Sequence, residues 1–320
     1  MQNRELHEAV CSSALVWPIK TVIQLFTGIV SPATIYRWVK QQNTLNHSYT
    51  IEECLSEWQR IKSYSGNYGA RPSHNRITTT FLPHFYHIEQ ELYRDIVIRK
   101  RLIENRKKYL LRDDFTEREL LRGFKISGIH TGYSHFSPLW IKQFITELQV
   151  NTVYDPCGGW GHRLIGAASL GCNYIYNDIW KLSYDGIKKI IKLLDIQVTT
   201  YNNDCTKFIP PEAYDCVFTC PPYYNVETYE APFKSLEIYN TFIHLMLKNA
   251  CKPCVNYIGI VINSTYKHII QNNIPADFAL YADETLGSTS AISHFNIKQS
   301  TKREMLLIFK RIIRKRDTED

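Results

Sequence analysis

From residue 150 onward the chain alternates short apolar runs with amphipathic stretches, and this alternation narrows the fold more than any other feature. NTVYDP (151–156), YIYNDI (174–179), VTTYNND (198–204), YDCVFTC (214–220) and YIGIVIN (257–263) read as strands. Between them, a glycine turn running into RLIGAASLG, then YDGIKKIIKLLDI and SLEIYNTFIHLMLKNAC, read as helices. FALYADETLG (278–287) and KREMLLIFKR (302–311) follow as two consecutive strands. Strands that alternate with helices predict an α/β fold, a mostly parallel sheet with helices on both faces. The two late strands predict an antiparallel hairpin at one edge.

The first part of the chain reads differently. Residues 4–27 and 31–41 read as helices separated by Gly28, with Ser31 and Pro32 as start signals for the second. A helix, a short glycine turn and a helix carrying Arg37 and Lys40 resemble a helix-turn-helix reader, and an ordinary helical packing unit stands as the alternative. IEECLSEWQRIKSY (51–64) predicts a helix, and SGNYGARPSHNRITTT (65–80) predicts a loop whose Arg71 and Arg76 could touch nucleic acid. The segment 94–112 holds eight Lys or Arg and falls in a stretch, 81–112, that reads as a long helix with Ile88, Leu92, Ile96 and Ile103 on an apolar face. A solvated face and phosphate contact are both open for it. The expected division is therefore a helical region over 1–112, a candidate for DNA recognition, and a second domain over 113–320. Ser137 and Pro138 predict the start of a helix in the second.

Composition bounds the function. With 320 residues, 44% of them hydrophobic, the chain can bury a full core. No apolar run is long enough for a membrane span, and MQNRELHEAV does not read as a secretion signal. Nine scattered cysteines indicate reduced, intracellular usage, cytoplasmic or nucleoid-associated in a bacterial or phage setting. Cys251 and Cys254 form a lone C-x-x-C, short of the ligands a zinc site needs, so no metal is expected. The formal net charge of +7 suits an anionic partner. Nothing in the sequence sets an oligomeric state.

The chemistry is carried by two stretches. In VYDPCGGWGHR (153–163) a strand ends at Asp155, and Pro156, Gly158 and Gly161 shape the turn before a helix. Ligands of open sheets bind outside the carboxyl ends of strands, and glycines let backbone approach them. The stretch is neither a dinucleotide fingerprint nor a phosphate-binding loop. The next strand ends at Asp178, about twenty residues on, where a carboxylate can hold a ribose diol. The third ends at Asn203 and Asp204. The other stretch is TCPPYY (219–224), in which prolines stop a strand and two tyrosines follow.

DPCGGWG with Asp178 resembles the S-adenosylmethionine site of class I methyltransferases. TCPPYY with NVETY resembles the catalytic motif of amino-group DNA methyltransferases, the N4-cytosine and N6-adenine family. HFSPLW (135–140) resembles the segment that, in circularly permuted members, precedes the glycine motif and cradles the methionine part of the cofactor. KREMLLIFKR resembles the final strand of that fold. The likeness covers roughly 120–312 and leaves the first 110 residues aside.

By this resemblance the cofactor is S-adenosylmethionine. Asp155, Pro156, Gly158 and Gly161 would form its turn and Asp178 would meet the ribose. Asp204 and Cys205 would lie beside the adenine, and Phe136, Ser137 and Pro138 at the amino-acid end. Cys220, Pro221, Pro222 and Tyr223 would form the catalytic loop. Tyr223, Tyr224, Asn225 and Glu227 would line the base pocket, with Tyr223 stacked on a base flipped out of double-stranded DNA. Cys220 departs from the family, which usually has Asp, Asn or Ser there, and a thiol accepts hydrogen bonds weakly. The implied activity is direct transfer of a methyl group to an exocyclic amino nitrogen, N4 of cytosine slightly favoured over N6 of adenine. Such an enzyme belongs to DNA modification, with a cognate restriction endonuclease as its natural partner. Two alternatives stand beside it: an RNA base methyltransferase, and a DNA-binding regulator that keeps an inactive methyltransferase fold. On this reading Asp155→Ala loses cofactor binding and keeps its fold.

Overall fold

The structure, a computed structural model, describes residues 49–70, 74–82, 92–93, 95–110, 136–224, 233–287 and 304–312, with 29, 31, 34 and 124 singly. The chain divides into two compact units, 1–48 with 83–131, and 49–82 with 132–320. This differs from the expected boundary at 112/113, because residues 49–82 pack with the sheet. The candidate helix-turn-helix, with Arg37 and Lys40, lies outside the described residues, as does Arg71.

In the first unit the basic segment forms helix α3 (Ile96–Leu110). Asp95 Oδ1 accepts from Val97 N at 2.8 Å and Ile98 N at 3.1 Å, which satisfies amides that a helix start leaves open. Lys100, Arg101, Lys107 and Lys108 are exposed, whereas Arg99 is buried with its guanidinium over the Tyr93 ring.

The second unit opens with α1 (Ile51–Ser63), started by a capping box in which Thr50 and Glu53 satisfy each other's amides. A short helix α2 (Arg76–Phe81) follows where a loop was expected. Its three threonines are poor helix formers. Tertiary contacts override them: Ile77, Thr78 and Thr79 are buried, and Glu57 Oε2 accepts from Ile77 N at 3.0 Å. Helix α4 (Pro138–Leu148) starts as expected, with Ser137 as N-cap and Pro138 in the first turn.

The sheet contains β1 (Thr152–Asp155), β2 (Asn173–Asn177), β3 (Thr199–Tyr201), β4 (Cys216–Thr219), β5 (Tyr257–Asn263), β6 (Phe278–Thr285) and β7 (Glu304–Arg311). Its order is β3-β2-β1-β4-β5-β7-β6. The first five strands are parallel; β7 runs antiparallel between β5 and β6. The late strands therefore form the predicted antiparallel hairpin at one edge, with β7 paired to β5 and β6 outermost. Helices α5 (His162–Ala168), α6 (Lys181–Leu194), α7 (Leu236–Ala250) and α8 (Lys267–Asn273) complete the unit. Side chains alternate between faces along each strand. Val153, Cys216 and Phe218 join the core that contains Trp140, Phe144 and Ile187. Tyr154, Val217 and Ile258 join the opposite core with Tyr239, Ile243 and Met246 of α7.

Residues 49–82 belong to the first of these cores through Trp58, Ile61 and Ile77. The attachment is also polar. Trp140 Nε1 donates to Ala70 O at 3.0 Å, and Asn67 N to Leu139 O at 3.0 Å. Lys142 is buried and donates to the carbonyls of Ile61 at 2.6 Å and Lys62 at 3.3 Å, closing the C-terminal end of α1. Gly66 lies so close to α4 that a Cβ there would stand 2.2 Å from Gln143 N. Gly66→Ala should therefore lower stability by about 1–3 kcal/mol through overpacking. Gly69→Ala, whose Cβ would approach only the Asn67 side chain at 3.2 Å, should change it by no more than about 0.5 kcal/mol. Urea denaturation of the full chain measures both; equal effects would contradict this packing.

Candidate functional site

The chain leaves β1 for β2 on one side and returns to β4 on the other, so the carboxyl ends of β1 and β4 flank the point where strand order reverses. Open sheets bind ligands there. A cavity of about 610 Å³ occupies this place. Its wall takes residues that follow β1, β2, β3 and β4, a size and setting suited to a small-molecule cofactor.

Asp155 sets the floor. Its side chain is fully buried and lies under the turn, not on the cavity wall. Oδ2 accepts from Arg163 Nε and from Tyr174 OH, both at 2.6 Å. Oδ1 accepts from Thr219 Oγ1 at 2.7 Å and Cys157 N at 3.2 Å. Burial works against the Arg163 charge, but Asp155, with Tyr174 and Cys220, outweighs it and holds the guanidinium firmly protonated.

The glycine turn has a packing logic. A Cβ on Gly158 would meet the Tyr176 ring at 2.1 Å, and one on Gly161, at φ +76°, would meet Ile187 Cδ1 at 2.3 Å. Both positions on the wall thus require glycine because of protein neighbours, without appeal to a ligand. Gly159, at φ +53°, is the open one: a Cβ there meets nothing closer than 3.9 Å. Its amide donates to Asp178 Oδ2 at 2.7 Å, while Asp178 Oδ1 accepts from Trp180 N at 2.8 Å. Asp178 is thereby held at the wall beside the turn. Burial pushes its carboxyl up to about 6, with the two amides pulling the other way.

Asp204 and Cys205 also reach the wall. Asp204 is engaged locally, accepting from Thr206 N at 2.9 Å and Thr206 Oγ1 at 2.7 Å and pairing with Lys207 at 3.2 Å. Burial tends to raise its carboxyl, yet these hydrogen bonds and Lys207 bring it below the usual value. Cys157 Sγ lies 3.8 Å from Cys205 Sγ and 3.7 Å from Met246 Sδ. The Cys205 contact and burial push the Cys157 thiol well up, so the Cys157 sulfur stays protonated.

Of the proline-tyrosine segment, Cys220 and Pro222 lie on the wall and Pro221 is buried behind it. Tyr223 does not present the stacking face expected of it. It is 6% exposed, packed in the α7 core, with its hydroxyl 3.5 Å from Cys220 Sγ. Tyr224 packs beside Tyr266, whose hydroxyl donates to Tyr224 O at 2.8 Å. Aromatic surface comes instead from Phe136, Trp160, Trp180, Phe233 and Phe242. Ser137 and Pro138 are buried in the start of α4, away from the wall, although Phe136 is on it. Pro156 lies on the wall as expected. Arg76 does not reach it; its guanidinium covers the Tyr49 ring at 5.6 Å. Asn225 and Glu227 lie outside the described residues.

Sequence reasoning passed over His162, Arg163 and Glu304, all on the wall. The His-Arg pair directly after the glycines was a usable signal. Glu304, at the start of β7 opposite Asn263 of β5, was not, since only the inserted position of β7 carries it there. Among the described residues, no group of three His, Cys, Asp or Glu side chains is placed to hold a metal ion, and no helix is long and apolar enough to cross a membrane.

The strand order, the antiparallel seventh strand and the helices on both faces define a class I methyltransferase-like fold with a helical region before it. No protein-family model matches the chain. No curated protein matches it either. Several solved structures are similar in architecture. Protein lmo1582 of Listeria monocytogenes shares 13% identity over 84% of this chain and 91% of that one, with a TM-score of 0.45. TrmN of Thermus thermophilus shares 13% over 60% and 53%, TM-score 0.42. The T. thermophilus 16S rRNA N2 G1207 methyltransferase RsmC shares 16% over 57% and 44%, TM-score 0.38. The match thus spans about half the length of TrmN and of RsmC.

The burial of Asp155 changes the expected behaviour of its variant. Asp155→Ala leaves Arg163 charged, buried and unpaired, so it should lose about 3–5 kcal/mol of stability. Thermal and urea unfolding of purified protein measure this. A fold as stable as wild type would contradict the role given to the ion pair.

Proposed function

We propose that this chain is an S-adenosylmethionine-dependent methyltransferase that modifies an exocyclic amino group of a nucleic-acid base. One observation carries the reading: the turn that holds Asp178 and the segment that holds Cys220 and Pro222 open into one cavity. The residues fit the cofactor. Gly159 leaves an open cradle, the Asp178 carboxylate stands beside it, and apolar rings supply flat surface.

When bound, the cofactor supplies a methyl group activated on a sulfonium. The chain orients and excludes water. Asp178 spends one acceptor site of each oxygen on the Gly159 and Trp180 amides, which leaves the remaining lone pairs for ribose hydroxyls. The paired prolines restrict the backbone, so the Pro221 carbonyl is a fixed acceptor for an amino hydrogen of the base. That hydrogen bond turns the nitrogen lone pair toward the reacting carbon, and positioning supplies much of the rate. Tyr223 acts from behind, its hydroxyl setting the Cys220 thiol. An extruded base stacks on rings of the wall, a contact worth about 1–3 kcal/mol.

Double-stranded DNA is the polymer suggested by the resemblance of TCPPYY, with cytosine N4 slightly ahead of adenine N6. The same chemistry on an RNA base stands level with it, because the described wall has room and chemistry for a cofactor and one base, which both polymers share. Incubating the full chain with methyl-labelled cofactor and either duplex DNA or structured RNA, followed by nucleoside analysis, should give a methylamino base from one of them. Cofactor binding with no transfer to either polymer would favour the regulator that keeps an inactive fold. No binding of any adenosyl ligand would overturn the proposal.

Asp178 gives the binding a pH dependence. Its carboxyl titrates near 6, and the ionised form is the better acceptor. Affinity for S-adenosylhomocysteine should therefore be full well above pH 6 and fall as pH drops, to about tenfold weaker at pH 5, where roughly a tenth of the carboxyl remains ionised. Asp178→Asn should bind more weakly at pH 8 and show a flat profile. Calorimetric titration from pH 5 to 8 reads both, and a flat wild-type profile would remove Asp178 from the ribose.

A further inference from the structure

We infer that Arg163 is a positioning residue for the cofactor, holding the α-carboxylate of its methionine part through Nη1, and that the site therefore selects adenosyl compounds that keep this carboxylate. The inference rests on the methyltransferase reading above.

A guanidinium has five N–H donors in a fixed fork. In Arg163, Nε donates to Asp155 Oδ2 at 2.6 Å, and Nη2 donates to Asp155 Oδ1 at 3.5 Å and to the Cys157 carbonyl. Asp155 and the turn thus occupy one flank of the fork. Nη1, on the other flank, makes no hydrogen bond to any described residue, and it is not among the sealed polar atoms of the fold. Arg163 as a whole is only 6% exposed and forms part of the cavity wall, so the surface that Nη1 retains faces the cavity. A desolvated cation with two unspent donors aimed into a cavity calls for an anionic acceptor there.

The distribution of charge along the wall says which part of the ligand that is. The carboxylates of Asp178 and Asp204 come from the β2 and β3 side, suited to hydroxyl and amino donors. Arg163 is the only Lys or Arg among the described wall residues. Its guanidinium lies over the Phe136 ring at 5.3 Å, and Cys220 is close enough to influence its charge. The cation therefore borders the Phe136 and Cys220 side of the cavity. A ligand whose ribose meets Asp178 directs its other end toward this cation. In an S-adenosyl amino acid that end carries the one anionic group of the molecule. The same arrangement places the sulfur between the two anchors, next to Cys220 and Pro222, where the reacting base must arrive.

Glu304 also lies on the wall, from the β7 side.

The test compares S-adenosylmethionine with its decarboxylated analogue, which keeps the sulfonium and the amine, on the full chain by calorimetry. The wild type should bind the analogue roughly 10- to 100-fold more weakly, the loss expected for a charge-assisted hydrogen bond. The paired variant Asp155→Asn with Arg163→Gln removes the ion pair without leaving a charge behind, and it should bind both ligands within about threefold of each other. This ratio is a readout that a merely structural Arg163 would not move. Wild-type binding of the two ligands within threefold overturns the inference and leaves the methyltransferase reading intact. Retained discrimination in the paired variant does the same. Failure of both ligands, and of S-adenosylhomocysteine, to bind overturns the reading and the inference together.

Discussion

The Asp155 carboxylate is the interaction on which the site depends. Its two oxygens collect donors from Arg163 on α5, Tyr174 on β2, Thr219 on β4 and the Cys157 amide in the turn. Burying an ion costs several kcal/mol, and only a counter-ion with satisfied lone pairs offsets that. Here both conditions hold, so the carboxylate ties together the ends of β1 and β4, the Tyr174 side chain of β2 and helix α5. The shape of the glycine turn follows. Gly158 N donates to Asn177 O at 2.7 Å, Tyr176 OH donates to Gly159 O at 2.9 Å, and the turn is drawn over β2. Asp178 then falls within reach of the Gly159 amide. The acid that a ligand would meet is placed by an acid that no ligand would touch.

Much of this architecture is legible in the sequence because the determinants are local. Strand-length apolar runs, the Ser137-Pro138 helix start and the turn after Asp155 need no distant partner to be recognised. Asp178, Gly158, Gly161, Cys205 and Cys220 were expected at the cavity and lie on its wall. The position of β7 between β5 and β6 was not legible, since two consecutive strands form a hairpin in either arrangement. Seven register pairs with β5, from Tyr257 opposite Lys310 to Asn263 opposite Glu304, decide it.

The misreadings share a cause. Tyr223 was expected to offer its face to a base, as an aromatic residue directly after a strand end suggests. Beyond the end of β4 at Thr219, Tyr223 and its neighbour Tyr224 both turn to the core covered by α7. Residues 65–80 read as a loop because their composition is polar and the threonines disfavour a helix. The buried Glu57 carboxylate, twenty residues earlier in the chain, supplies what local propensity lacks. In both cases the deciding partner lies on another element.

Residues 49–82 also touch a residue of the cavity wall. Thr78 Oγ1 lies 3.2 Å from both the Asn75 carbonyl and His162 Nε2. The hydrogen bond to Nε2 holds that edge of the ring. His162 follows Gly161 directly and stands on the cavity wall beside Arg163. A residue of the wall is therefore oriented by α2, an element that the sequence assigns to a different part of the chain. Loosening α2 would free the first side chain of α5, at the point where that helix begins and where Arg163 must be held. The segment before the sheet thus supports a wall residue as well as the core.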